Sequence, residues 1–533
     1  MKKNNSKWKV DSLNPKDELH KKIWEIACGL RSSSANSWDF KSYILTTIFY
    51  KYLSQKLENS LKEDDDIDYS TIPDDVALNQ KDAIISKYGF FMLPSELFRN
   101  VLEHAPDNPN LNKDLKRTFD NIENYVKNTE IFDNFKGLFK DFDFTKIISD
   151  NSNTKLINEK LVAILKGIND MQIGSIDKID IDALGDAYEY LIGMYASTAG
   201  SKGGEFFTPQ EVSELLMRLA ISNFKDKTFE INDIYDPACG SGSLLLQALK
   251  LLGKDNFHEL KGQEINQTTY NLCRMNMFLH GMNPESFHIV CDNTLTNPAF
   301  LNDVDNGKKF DIIVSNPPYS EPWNYNNDET LINDKRFSPA GVLAPKRYAD
   351  FAFIMHIIHY LSEKGTACVV CFLGILHREH AEQKIRQYLV DHGFIDAIIK
   401  LPKNLFYGTH IPVAIMVLRK NRINSNQILF IDGSKFFKKG SNQNKLSKED
   451  ILEILKIYQQ RENIPDLSIN VSLSEIINKK YDLQVNTYIK KNETYTPPTE
   501  DQLNLLDEKI QKIVNRINEL RKNIDELTKR VKN

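Results

Sequence analysis

"DIYDPACGSGSLLLQAL", residues 233–249, decides the fold. An apolar run ends at Asp236, a loop of small residues follows, and a helical run begins near Leu244. In a doubly wound α/β fold, ligands sit beyond the carboxyl ends of strands, and glycines let the backbone approach them closely. Gly240 and Gly242 permit that approach, while Ser241 and Ser243 can hydrogen-bond a polar ligand edge. A dinucleotide fingerprint reads G-x-G-x-x-G, but Leu245 stands at the third glycine position, which disfavours NAD. The Gly-Lys-Ser/Thr ending of a phosphate loop is missing as well. The loop suits a nucleoside without phosphates, with a purely structural turn as the alternative.

Outward from this loop the same pattern repeats. From about 175 to 435, short apolar runs alternate with helix-length segments: "EINDIYD", "ELKGQEI", "SFHIVCD", "KFDIIVSN", "TACVVCFLG", "IDAIIKLP", "VAIMVLRK" and "QILFIDGS". Such alternation predicts βαβ units and a mostly parallel sheet covered on both faces. Residues 1–170 differ, with apolar residues at three- and four-residue intervals in "ELHKKIWEIACGLR" and "FKSYILTTIFYKYLSQKLENSLKE". That periodicity predicts helices. The expected organisation is an α-helical domain over 1–170, an α/β catalytic domain over 171–435, a linker or extension over 436–498, and a helix over 499–533. In the last segment Leu503, Leu506, Ile510, Ile513, Ile517, Leu520, Ile524, Leu527 and Val531 alternate at spacings of three and four. This narrow seam predicts a coiled coil with another chain; an amphipathic helix folded onto its own domain would use a broader stripe.

Composition excludes several classes. The chain of 533 residues is 41% apolar and 26% charged, with no apolar run long enough to span a membrane and no secretory signal at its start. Six scattered cysteines fit reduced, cytoplasmic thiols. "CVVC" (368–371) has redox spacing but lies in a strand-like run, as buried small residues do. Eleven histidines show no zinc-type clustering, and His356 and His359 look like packing and surface residues. The net charge of −5 means that a grip on duplex DNA would draw part of its positive charge from a partner.

Three further stretches carry chemistry. Glu264 in "LKGQEINQTTYNLCRMNM" (260–277) follows the second strand, where a carboxylate can accept from two ribose hydroxyls. Asp292 in "IVCDNTL" (289–295) follows the third strand, where a carboxylate can accept from an adenine amino group. In "GGEFFTPQEV" (203–212), Thr208, Pro209 and Glu211 read as an N-cap, a first-turn proline and a first-turn acid. A helix start of this kind suits a carboxylate ligand, and Phe206 and Phe207 can pack against its adenosine.

"SNPPYS" (315–320) closes the set. The adenine amino nitrogen is a poor nucleophile because its lone pair is delocalised into the ring. Two acceptors on its N–H bonds draw it toward a tetrahedral shape. Asn316 can supply one through its side-chain oxygen and Pro317 the other through its carbonyl. Proline fixes φ and restricts the preceding residue, so Pro317 and Pro318 hold both acceptors rigidly. Tyr319 offers a ring face to a flipped-out base.

The order "GGEFFTPQ", "DPACGSGS", "GQE", "NPPY" resembles the γ-type adenine-N6 DNA methyltransferases, most of all the modification subunits of Type I restriction–modification systems. "LGDAYEYLIGMYASTAGSKGGEFFTP", "FAFIMHIIHYL", "LPKNLFYGTHIPVAIMVL" and "YDLQVNTYI" extend the likeness over nearly the whole chain. The resemblance implies a Rossmann-like S-adenosylmethionine-dependent domain. Its cofactor would be contacted by Glu205, Phe206, Phe207, Thr208, Pro209 and Gln210, by Ser241, Gly242 and Ser243, and by Glu264. Family members often carry another small residue where Cys239 and Ser243 stand. Phe406 in "NLFYGT" (404–409) matches the place where related enzymes set an aromatic against the other face of the base. The resemblance also implies two modification subunits on one specificity subunit, which reads the DNA sequence, and a restriction/translocase subunit in the full complex. A protein-glutamine N-methyltransferase shares "NPPY" but is more compact. A catalytically dead clamping subunit should show damage at Asn316 or Gly240 and Gly242, which are intact.

Overall fold

The computed structural model describes residues 39–140, 153–170, 191–193, 208–224, 231–323, 329–406, 411–422, 426–440, 443–490, 507–508 and 510–521. Every apolar run expected as a strand forms one: β1 (Ile231–Asp236), β2 (Phe257–Glu264), β3 (Phe287–Cys291), β4 (Phe310–Ser315), β5 (Leu361–Phe372), β6 (Ile395–Lys400), β7 (Val413–Arg419) and β8 (Gln427–Asp432). A ninth, β9 (Ser468–Ser472), completes a sheet of order β9-β8-β6-β7-β5-β4-β1-β2-β3.

β1 to β5 pair in parallel, and β6 and β8 also run parallel to each other. β7 runs antiparallel to both β5 and β6. No helix is described between β6 and β7, and without a crossover helix the chain turns back on itself. Adjacent residues face opposite cores: Ile312 and Val314 lie in one, Ile313 between them in the other. That two-sided burial explains why the strands read as continuous apolar runs. Cys368 and Cys371 are buried inside β5, in the two different cores.

β9 pairs antiparallel with β8, with Ser468 opposite Ile431 and Ser472 opposite Gln427. The stretch 436–498, expected as a linker or extension, therefore supplies an edge strand of the sheet. Its short alternation of Ser, Ile, Asn and Val gives little apolar signal.

Helices α1 (Asp39–Asp65), α2 (Leu111–Tyr125), α3 (Thr154–Asp170), α4 (Gln210–Ile221), α5 (Ser243–Leu252), α6 (Gln267–Leu279), α7 (Asp350–Tyr360), α8 (Ala381–Asp391) and α9 (Lys448–Gln460) follow in chain order. Residues of α4, α5, α6 and α9 lie in the first core; those of α7 and α8 lie in the second. Before residue 231 the described chain is helical. α1 is buried on all sides from Tyr43 to Ser54, so it is a central helix rather than an amphipathic one. Its Lys51 ammonium donates to the Ile168 carbonyl near the end of α3, at 3.0 Å. A helix end leaves carbonyls without intrahelical partners, which is where a cation is welcome.

The helical region joins the sheet domain through α6. Arg274 donates to the carbonyls of Asp133 and Lys136, and Phe278 packs its ring against Phe49 and Phe135. The segment 490–533 is a separate unit. Within it 510–521 is helical, and Ile510, Ile513, Ile517 and Leu520 are exposed at spacings of three, four and three. Leu503, Leu506, Ile524, Leu527 and Val531 lie outside the described residues.

Candidate active site

β4, β1, β2 and β3 are neighbours and parallel, so their carboxyl ends share one edge. Asp236 and Glu264 end their strands there, and Asp292 and Asn316 follow theirs by one residue. The glycine loop is bent as its sequence requires. Gly240 and Gly242 adopt φ of +54° and +83°, where residues with a Cβ are strained. A Cβ on Gly242 would also stand 2.7 Å from Met277 Cε and 2.8 Å from Cys273 Sγ. Glu264 fastens this loop: its Oε2 accepts from the Gly240 N–H at 3.0 Å and its Oε1 from the Asn266 N–H at 2.9 Å. Glu264 lies in the wall of a cavity, where its remaining lone pairs can accept from a ligand hydroxyl. Burial raises the Glu264 pKa.

Beyond these strand ends opens a cavity of about 590 Å³, whose wall includes Pro237, Ala238, Glu264, Asn293, Pro318 and Trp323. The volume suits a nucleoside-sized ligand. Asp292 turns both oxygens to its own loop, accepting from the Asn293 N–H and the Asn297 side-chain amide, and Asn293 forms the wall beside it.

Several buried polar atoms lack partners among the described residues. Asp236 accepts from the Ala238 N–H at 3.0 Å and the Ser315 hydroxyl at 2.9 Å, both at Oδ1. Its Oδ2 is unpaired, as are Ser241 Oγ and Glu211 Oε1 in the first turn of α4. Buried polar atoms are rarely left so. Burial also pushes the Asp236 carboxyl up to about 7, a state that a nearby cation would reverse. Such a set of acceptors fits a ligand bearing positive charge and hydrogen-bond donors. S-adenosylmethionine is such a ligand.

The 316–319 corner is different, since both ends of the Asn316 amide are engaged by the chain. Asn316 donates from Nδ2 to Thr208 Oγ1 at 3.1 Å, and its Oδ1 accepts from the Tyr319 hydroxyl. Thr208 is therefore not the N-cap expected of it. Pro209 precedes α4, its carbonyl accepting from the Val212 and Ser213 N–H groups, and no side chain caps the helix. The Thr208 hydroxyl is drawn away by Asn316. Phe406 is buried and meets Tyr319 edge to face, with ring centroids 6.5 Å apart at 82°. Glu205, Phe206 and Phe207 lie outside the described residues. Ser243 is buried near Thr208, its hydroxyl 3.4 Å from the Thr208 carbonyl.

Sequence reasoning passed over Asn293, Trp323 and Ser315. Ser315 had a signal: strand alternation places it opposite its neighbours in an apolar run, where a hydroxyl needs a partner. The paired histidines separate as expected, His356 into the core and His359 onto Asp305 at 3.0 Å.

Two family models cover most of the chain: N-6 DNA Methylase over 179–496 and the HsdM N-terminal domain over 19–165. The methylase subunit of the Type I restriction enzyme MpnII from Mycoplasma pneumoniae is 42% identical, over 96% of each chain. The chain belongs to the Type I restriction-enzyme methylase subunits. The MjaVIII methylase subunit of Methanocaldococcus jannaschii is 30% identical, over 85% of this chain and 75% of that one. Among solved structures, the Type I methyltransferase subunit from Streptococcus thermophilus has 33% identity and a TM-score of 0.79, covering 89% of this chain and 99% of that one. This methylase subunit is an adenine-N6 DNA methyltransferase of a restriction–modification system, on the Rossmann-like fold expected of it. No described helix is long and apolar enough to cross a membrane.

Proposed function

We propose that the cavity beyond β1, β2 and β3 holds S-adenosylmethionine, and that an adenine extruded from duplex DNA meets Asn316 and Pro317 beside it. One observation carries this reading. Asp236, a buried acid with an unpaired oxygen next to Pro237 of the cavity wall, shares a hydrogen bond with Ser315, the residue before Asn316. Cofactor side and base side are thus one residue apart.

S-adenosylmethionine supplies a methyl group on a positively charged sulfur. Asp236 Oδ2 receives the cofactor's positive charge, Glu264 its ribose hydroxyls, and Ser241 a polar edge. Asp292 acts through the loop it braces, with Asn293 at the wall. The loop residues Gly240, Gly242 and Ser243 shape the approach. As the family resemblance implies, Thr208, Pro209 and Gln210, with Glu205, Phe206 and Phe207 before them in sequence, would contact the cofactor. Asn316 Oδ1 and the Pro317 carbonyl accept from the adenine amino group, localising its lone pair toward the methyl. Pro317 and Pro318 hold this geometry without reorganisation, which is where electrostatic catalysis gains most. An arriving base displaces the Tyr319 hydroxyl from Asn316 Oδ1. The Tyr319 ring then stacks on the base, with Phe406 at its edge or far face.

The chain's net negative charge and the exposed seam of 510–521 favour assembly in which two of these subunits join one specificity subunit on double-stranded DNA, with a restriction/translocase subunit added in the full complex. The helical region, 1–170, would help close around the DNA, and the complex would work in the cytoplasm. Mapping N6-methyladenine by sequencing in cells with this chain and its specificity partner tests the reading. Methylation at one recurrent site is expected, largely lost in Asn316→Ala; near-normal methylation in that variant would overturn it.

A further inference from the structure

Behind the cavity, one buried side chain gathers the wall. Arg336 is almost wholly enclosed, and all five of its N–H donors have acceptors in range. Nε and Nη2 hold the Asp334 carboxylate at 3.1 and 2.7 Å. Nη1 reaches the Thr294 carbonyl at 3.0 Å and Nη2 the Leu295 carbonyl at 2.8 Å. The remaining Nη1 donor faces His356 Nδ1 at 3.2 Å. Burial and the adjacent guanidinium hold the His356 pKa well below its usual value, so the ring is neutral and accepts there. Its Nε2–H then points to the Tyr235 hydroxyl at 3.3 Å, and Tyr235 adjoins Asp236 on β1.

The carbonyls that Arg336 grips belong to the cavity wall, where Thr294 and Leu295 stand with Asn293 and Thr296. Thr294 passes the constraint on: its hydroxyl donates to the Pro237 carbonyl at 2.6 Å, across to the loop after β1. The far end of the same loop is held separately, by Gln263 on Asn297 and Ala299. The stretch 293–296 has no regular structure yet forms part of the cavity wall, and these side chains give it one shape. Burying an arginine costs desolvation that apolar packing would avoid, so a specific return on its fork is to be sought nearby.

We infer that Arg336 is a positioning residue for cofactor binding: through Thr294 and Leu295 it fixes the wall of the cavity without touching the ligand. The inference rests on the proposal that this cavity is the cofactor site. No charge on the ligand is required, because the guanidinium is fully used within the protein.

The test is calorimetric titration of S-adenosylmethionine into the full-length chain, with methyl transfer measured in the complex with its specificity subunit. Thr294→Val deletes the hydroxyl and leaves the Pro237 carbonyl unpaired; a roughly tenfold rise in Kd is expected. Thr294→Ser keeps the hydroxyl and should restore binding to within about threefold. Arg336→Lys keeps the charge but not the fork, and should raise the KM for cofactor more than it lowers kcat at saturation. Glu264→Gln serves as the control for the site itself. If Glu264→Gln weakens binding while Arg336→Lys and Thr294→Val leave Kd unchanged, Arg336 is merely structural and the inference fails. If all three bind normally, the cofactor lies elsewhere and the underlying site assignment fails. Should Arg336→Lys not fold, the Thr294 pair decides alone.

Discussion

The two halves of the site are prepared in opposite ways. On the cofactor side a cavity of about 590 Å³ opens beyond the strand ends, and two polar atoms buried at the end of β1 and in the loop after it, Asp236 Oδ2 and Ser241 Oγ, have no partner among the described residues. On the base side Asn316 has both ends of its amide bonded, to Tyr319 and to Thr208. The first arrangement is unfavourable until a ligand arrives. The second is stable by itself, and a base must compete with the chain's own hydroxyl. On the proposed reading, the free subunit is ready for cofactor before it is ready for DNA.

Four experiments probe this contrast. Asn316→Ala should lower methyl transfer by on the order of 10²–10³-fold, the scale of removing one preorganised polar contact. Its cofactor affinity, measured by calorimetry, should stay within a few-fold of normal; loss of both would join the two halves that the structure separates.

Asp236→Asn should weaken cofactor binding by about tenfold, one charge-assisted contact. The pH dependence has a definite sign. The folded carboxyl titrates at about 7 and the unfolded one at about 4. Between those values the empty fold holds a proton that the unfolded chain releases, so this group's contribution to stability falls as pH rises. A bound cation favours the carboxylate instead. Cofactor affinity should therefore rise with pH up to about 7 and level off above it, while Asp236→Asn lacks this rise. Glu264, whose charge also raises the Asp236 pKa, would broaden the transition.

Gly242→Ala tests the loop that joins the two halves. Its φ of +83° and the contacts at 2.7 and 2.8 Å predict a loss of about 1–3 kcal/mol by thermal or denaturant unfolding. An unaltered midpoint would show that the loop tolerates a side chain.

The smallest effect concerns the base side alone. Tyr319→Phe keeps the ring and deletes the hydroxyl that occupies Asn316 Oδ1. With 2-aminopurine at the target position in the assembled complex, the emission that marks an extruded base should rise by about twofold to tenfold, the range of one neutral hydrogen bond. A fall would mean that the hydroxyl helps to hold the base.

Much of this molecule was legible in its sequence, for identifiable reasons. Eight strands announced themselves because both faces of each are buried, and the acidic residues at their ends sit on one edge because β1 to β4 run parallel. β9 stayed hidden, since an edge strand of five residues with alternating serine and asparagine resembles a loop. Thr208 misled because Thr-Pro-x-Glu is good capping chemistry, and its real partner lies 108 residues away. Arg336 gave no local sign at all: within "NDKRFSPAG" (333–341) it looks like any surface charge, and only the tertiary structure encloses it.

The most direct test is a structure of the assembled complex on DNA containing its target adenine, with a cofactor analogue in place. The account predicts Asn316 Oδ1 and the Pro317 carbonyl at about 2.6–3.2 Å from the adenine amino nitrogen, with the Tyr319 ring on the base and its hydroxyl gone from Asn316. A base lodged elsewhere, with Tyr319 still bonded to Asn316, would contradict it.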